Sequence, residues 1–127
     1  VNESLVQDWN GTSREYSEKT FRPMTQFQPF IIYGQKGCNH YLKELGFRTY
    51  EDWFDLSFDE IEDPVRRMMA LYKTVKKTVK MLTLMTRQER ADWRFKNQSV
   101  LLHNYNKVIE LNESVRQETE DFFRYLP

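Results

Sequence analysis

The chain has 127 residues, a length that suits one domain with a modest core. Nineteen Lys and Arg balance nineteen Asp and Glu, so no overall charge points to nucleic acid or to an anionic membrane. Aromatics are 15% of the residues, more than a disordered segment carries. No run approaches the roughly 20 apolar residues of a membrane span. Cys38 is the single cysteine, which cannot form an internal disulfide and fits a reducing, cytoplasmic setting. No signal peptide is visible, and the chain opens on Val1 rather than Met, as a fragment of something longer would.

In chain order, "VNESLV" reads weakly as a short strand and "QDWNGTSREY" as a turn-rich loop broken at Asn10-Gly11. Ser17 is placed to cap a helix, with Glu18 in its first turn, where the helix dipole favours an anion. Phe21, Met24, Thr25 and Gln28 follow at helical spacing, and Pro23 falls within the first two turns. "PFIIYG" is a continuous apolar run rich in β-branched residues, the pattern of a strand buried on both faces. In "QKGCNHYLKELGF", Asn39 can cap a short helix through Leu45 and Gly46 can end it in the left-handed region. "RTYEDWFD" can hold a further strand. Strand, glycine loop, helix and strand make a βαβ pattern. The predicted fold of residues 1–63 is therefore α/β, a small parallel Rossmann-like sheet with flanking helices.

The second half changes character. Asp63 at a cap and Pro64 at the first helical position start a helix, and Val65, Met68, Tyr72, Val75, Val79 and Leu82 repeat at three- and four-residue steps. Thr86 and Glu89 form a capping box for the next helix, whose stripe runs through Leu101, Tyr105, Val108, Val115, Phe122 and Leu126, interrupted by Asn112 and Thr119. No glycine or proline falls between Pro64 and Pro127, which predicts two long helices over 64–127 packed as a hairpin within one compact domain. Leftover apolar residues, among them Trp93, Phe95 and Leu102, would let two copies form a homodimer through these C-terminal helices.

Several constellations could carry chemistry. Ser17-Glu18-Lys19 is either a plain capped helix start or a carboxylate and an ammonium presented at a sheet edge. In the second case Glu18 can accept from ribose hydroxyls, while Lys19 and the helix N–H groups hold a diphosphate. Arg22, one turn on, adds a second cation on the same face. Gly34-x-x-Gly37 in "YGQKGC" is either a strand-to-helix turn or a loop whose amides cradle a phosphate; it is neither a GxGxxG fingerprint nor a Walker loop.

The run "YSEKTFRPMTQFQPFIIYG" resembles the donor-binding segment of glycosyltransferases with two Rossmann-like halves (the GT-B arrangement), especially the fucosyltransferase type. In those proteins a Thr/Ser-Glu-Lys triplet opens a helix and a Pro-led hydrophobic strand ending in Gly follows. The longer pattern is "NES" at 2–4, "SEKTFRP" at 17–23, "QPFIIYG" at 28–34, "LGFRTYEDWFD" at 45–55 and "SFDEIEDPVRR" at 57–67. It is similar to a group of uncharacterised, often phage-encoded proteins described mostly as hypothetical or glycosyltransferase-like. The resemblance implies that Glu18 meets the ribose of a sugar nucleotide, that Lys19 meets its phosphates, and that Gly34 lets the backbone turn beside it. It also implies that a complete enzyme needs an N-terminal half for acceptor and catalytic base. This chain alone is then expected to bind a nucleotide sugar with little or no turnover.

The remaining candidates are weaker. Asp55, Asp59, Glu60, Glu62 and Asp63 could bind a divalent cation, but their spacing is not an EF-hand and reads better as a solvated acidic loop. His40, His103 and Cys38 cannot assemble a zinc set, so no metal or cofactor is expected. "RRMMALYKTVKKTVK" is basic and amphipathic, either a phosphate-binding face or the wet side of a packed helix. A nucleic-acid role ranks last because the total charge is zero. Two readings stay open: a nucleotide-sugar donor-binding domain, and a non-enzymatic interaction or oligomerisation module.

Overall fold

The computed structural model describes residue 16 and residues 18–124. The expected strand at 1–6, the loop after it, the Ser17 cap and Leu126 lie outside the described residues, as do the side chains of residues 18, 122 and 123. Five α-helices follow in order: α1 (Glu18–Thr25), α2 (Cys38–Glu44), α3 (Pro64–Leu84), α4 (Arg87–Lys96) and α5 (Gln98–Arg124). A 3-10 turn, Ser57–Glu60, precedes α3.

No strand forms among the described residues, and only Tyr33 makes an isolated bridge. The expected α/β fold with a parallel Rossmann-like sheet, and with it the two-halved glycosyltransferase architecture, is therefore corrected to an all-helical body. The burial signal in "PFIIYG" was real, since Phe30, Ile32 and Tyr33 are buried. What surrounds them is different. Phe30 and Ile32 pack with Met24 of α1, with Cys38 and Leu42 of α2, and with Phe47, Tyr50 and Trp53 of the following loop. A continuous apolar run demands apolar neighbours, and helices and loop aromatics satisfy it as well as adjacent strands do.

The second expected strand, at "RTYEDWFD", is a set of turns: Trp53 and Phe54 N–H both donate to the Tyr50 carbonyl at 2.9 Å. Its entry is held by one side chain. Asn104 of α5 is fully buried, accepts from the Arg48 N–H at 2.8 Å, and donates through Nδ2 to the Arg48 carbonyl at 2.8 Å and to the Tyr50 hydroxyl at 3.2 Å. A single amide thus supplies both hydrogen bonds that a neighbouring strand would offer Arg48.

The helix starts follow the sequence closely. Asp63 accepts from the Arg66 N–H at 2.7 Å with Pro64 at the first helical position. Thr86 and Glu89 complete both arms of their capping box. Gly46 ends the turn after α2 at φ 87, its N–H donating to the Lys43 carbonyl. Asn39 does not cap α2. Gly37 stands at the cap with φ 75, and the Asn39 side chain turns inward.

The expected C-terminal hairpin is also corrected. The second long helix is broken at Asn97, whose buried side chain donates to the Trp93 carbonyl at 2.8 Å, separating α4 from α5. α3 packs chiefly on the 3-10 turn, whereas α5 packs on α1 and α4. Trp93 of α4 meets Trp53 with ring centroids 4.2 Å apart, tying α4 to the core.

Replacing the buried Asn104 by alanine leaves the Arg48 amide and carbonyl, both in a part-buried setting, and the buried Tyr50 hydroxyl without this partner. The expected loss is about 3 kcal/mol, read as a lower urea midpoint at unchanged slope. A loss under about 0.5 kcal/mol would show that the amide clamp is dispensable.

Candidate functional site

The residues expected to bind a nucleotide sugar sit in two places. Glu18, Lys19 and Arg22 belong to α1, with Lys19 and Arg22 exposed and Arg22 in the last turn. Gly34 and Gly37 are buried in the turn that leads into α2, and of the two only Gly37 takes a left-handed φ. The amides around this turn are already engaged. Gly37 N–H donates to the Asp59 carbonyl at 2.9 Å, and Cys38 N–H to the Gln35 carbonyl at 3.2 Å.

The Asp59 carboxylate takes the next two. Its Oδ2 accepts from Asn39 N–H at 2.9 Å and His40 N–H at 3.3 Å, while Oδ1 accepts from Asn39 Nδ2 at 3.0 Å. Asn39 Nδ2 also reaches the Ile32 carbonyl at 3.3 Å. A buried carboxylate from twenty residues downstream therefore occupies the position a phosphate would take at the start of α2. Burial pushes the Asp59 carboxyl above its usual range, and the three hydrogen bonds pull the other way.

The neighbouring acids are likewise committed to structure. Hydrogen bonds from the Ser57 side chain and from its N–H, the latter at 3.1 Å, hold the Asp55 carboxyl below the usual range. Glu62 pairs with Lys36 at 2.6 Å, and Asp63 caps α3. No group of three or more His, Cys, Asp or Glu among the described residues is placed to hold a metal ion. His40 pairs with Glu44 at 3.5 Å and Cys38 is buried, which gives neither residue a nucleophilic arrangement.

The apolar stripe that periodicity placed on α3 does not pack on the last helix, as expected, but lies on the surface. Its face toward the body is polar: Arg67, Thr74 and Thr78 are 2%, 8% and 9% exposed. Arg67 Nη1 donates to the Ile61 carbonyl at 2.7 Å and the Glu62 carbonyl at 3.1 Å, and the guanidinium carbon lies 6.0 Å from the Tyr33 ring centre. Thr74 donates to the Asp55 carbonyl at 3.1 Å. The apolar stripe points the other way: Val65, Met68, Tyr72, Val75 and Val79 are 68%, 49%, 64%, 41% and 57% exposed. At 3.6 residues per turn, the centres of these two faces are roughly 120° apart.

Two open clefts border the stripe. One of about 480 Å³ lies between Met68, Leu71 and Val75 of α3 and the segment Pro29, Phe30 and Ile31. The other, about 1260 Å³, runs from Val79 and Leu82 across to α4 and the start of α5. Pro29 lines both, so they adjoin along α3. Arg87, Arg90 and Arg94 of α4 line the larger cleft, and among the described residues no carboxylate lines either. Phe27, at its edge, holds φ 51 and stacks on Tyr105 with centroids 4.7 Å apart. A bulky residue in that region is rare and marks a locally over-determined position. None of Lys19, Arg22, Gly34 and Gly37 lines either cleft. The arginine rim had a readable signal, since residues 87, 90 and 94 share one helical face.

Among the described residues no helix is long and apolar enough to cross a membrane. Comparison of the chain with protein-family models, curated proteins and solved structures finds no match.

Asp59 gives a test by pH. Its carboxyl is raised in the folded state, so the native protein holds that proton at pH values where the unfolded chain has released it. Stability from this group is full below the unfolded value of about 3.9 and falls as pH rises through the raised native one. Urea denaturation across that range is expected to show a downward contribution in the wild type that is missing in Asp59→Asn. Parallel pH profiles for the two proteins would contradict it.

Proposed function

We propose that the protein is a non-enzymatic interaction module whose docking surface is the trough along α3 and α4. One observation carries this reading: α3 is anchored through Arg67 and Thr74 while its apolar stripe stays outside. Each of these half-exposed Val and Met side chains forgoes roughly half of the ~1.5–3 kcal/mol that full burial would contribute. Five stripe residues in line on one helix form a contiguous apolar patch, the feature that marks a binding surface on a soluble domain.

The trough suits a helix laid lengthwise. From Met68 to Thr83 it follows sixteen residues of α3, roughly 24 Å at 1.5 Å per residue. Apolar side chains form its floor, and the α4 arginines stand at one end, where they would meet an acidic partner. The expected cytoplasmic setting belongs to this reading and is supported by the single, buried Cys38.

The nucleotide-sugar reading draws less support. It needed a sheet edge beside α1 and open amides at Gly37, and the amides donate to Asp59 and to neighbouring carbonyls. Lys19 and Arg22 border neither cleft.

Tyr72→Glu and Val79→Glu, made singly, test the docking face. Measured on the dilute monomer, each is expected to change unfolding free energy by less than about 0.5 kcal/mol, with reduced binding of a hydrophobic dye. A loss above about 2 kcal/mol would mean the stripe belongs to the core and would end this reading.

A further inference from the structure

We infer that the trough is filled by the distal half of α5 from a second copy of the chain, in a reciprocal pair. The inference rests on the docking-face reading above and names its occupant. Every residue from Ile109 to Glu120 is exposed, so α5 runs on past the body it packs against. That overhang, taken to Arg124, is sixteen residues, roughly 24 Å, the length of the trough. Its apolar positions Val108, Leu111 and Val115 continue the face that carries the buried Asn104, and Leu111 and Val115 are uncovered. A helix that keeps its apolar line after leaving its own core presents that line to another surface.

Charge selects the pairing. α3 exposes five cations, Arg66, Lys73, Lys76, Lys77 and Lys80, and carries no acid, Arg67 being turned inward. Residues 110–121 of α5 carry five carboxylates against Arg116 alone, a net charge of −4. The arginines of α4 form a cationic border at the far end of the trough. Opposed potentials of this kind steer association and fix register, and they disfavour α3 against α3 or α5 against α5. Each copy bears one trough and one acidic overhang, so a two-fold pair fills both troughs at once and closes without leaving an open end.

Charge reversal tests the pairing on the full chain. One variant carries Lys76→Glu and Lys80→Glu; the other carries Glu113→Lys and Glu118→Lys. These four side chains form no ion pair among the described residues, so their reversal spares the fold. By light scattering, the wild type is expected to dimerise and each variant alone to dissociate, with a dissociation constant raised about thirtyfold. An equimolar mixture is expected to restore the dimer, because the reversed α3 of one copy then meets the reversed α5 of the other while the second contact is unchanged. Variants that dimerise alone, or a mixture that stays monomeric, overturn the proposal. A wild type that stays monomeric at high concentration also overturns it; if the Tyr72 and Val79 variants keep full stability, the docking face then stands with a different occupant.

Discussion

The orientation of α3 is set by hydrogen bonds to carbonyls, and the rest of the molecule's surface chemistry depends on it. Arg67 reaches back to the carbonyls of Ile61 and Glu62, and Thr74 reaches the carbonyl of Asp55. Tyr33 adds a bond from its hydroxyl to the Pro64 carbonyl at 3.1 Å. Rolling the helix to bury Met68, Tyr72 and Val79 would withdraw Arg67 and Thr74 from these acceptors. Each buried carbonyl left unpaired costs about 1–3 kcal/mol, comparable with the burial of one apolar side chain. The helix is thus held polar side in, and its stripe becomes a surface.

Two other buried side chains do the work that a sheet would have done. Asn104 gives Arg48 the donor and acceptor of an absent neighbour, and Asp59 gathers the amides that open α2. Both link segments far apart in the chain, which lets the loops at 28–37 and 47–56 bury Phe30, Ile32, Tyr50 and Trp53 while the Arg48 backbone and the Asn39 and His40 amides stay paired. The same economy bears on function. Amides that hold an internal carboxylate are not open to a phosphate, and the exposed apolar surface lies instead on the outside of α3 and α4.

Much of the local structure was legible and much of the assembly was not. Asp63-Pro64 and the Thr86–Glu89 box fixed two helix starts, because capping is chemistry between residues three apart. Gly46 ended its turn for the same local reason. "PFIIYG" announced burial but could not say what would cover it, and the sheet was the wrong cover. The break at Asn97 left no glycine or proline to mark it; a side-chain bond to Trp93 makes it. Periodicity located the stripe on α3 correctly, yet three- and four-residue spacing is blind to which face turns inward. That choice was made by Arg67 and Thr74, whose acceptors lie in another part of the chain. Glu18, Lys19 and Arg22 were correctly placed on a helix, but the companion features that would make them a ligand site depend on the sheet.

The molecule is best understood as a small helical body with an apolar, cation-bordered trough on one side and an acidic helix projecting from it. The central claim is that the α3 stripe faces solvent in the single chain. Hydroxyl-radical footprinting of a dilute sample reads this directly, because Met68, Met69 and Tyr72 are exposed while Met24 is buried in the core. The expected result is fast oxidation of those three residues with Met24 protected. Protection of Met68 and Tyr72 equal to that of Met24 in the dilute monomer would contradict it.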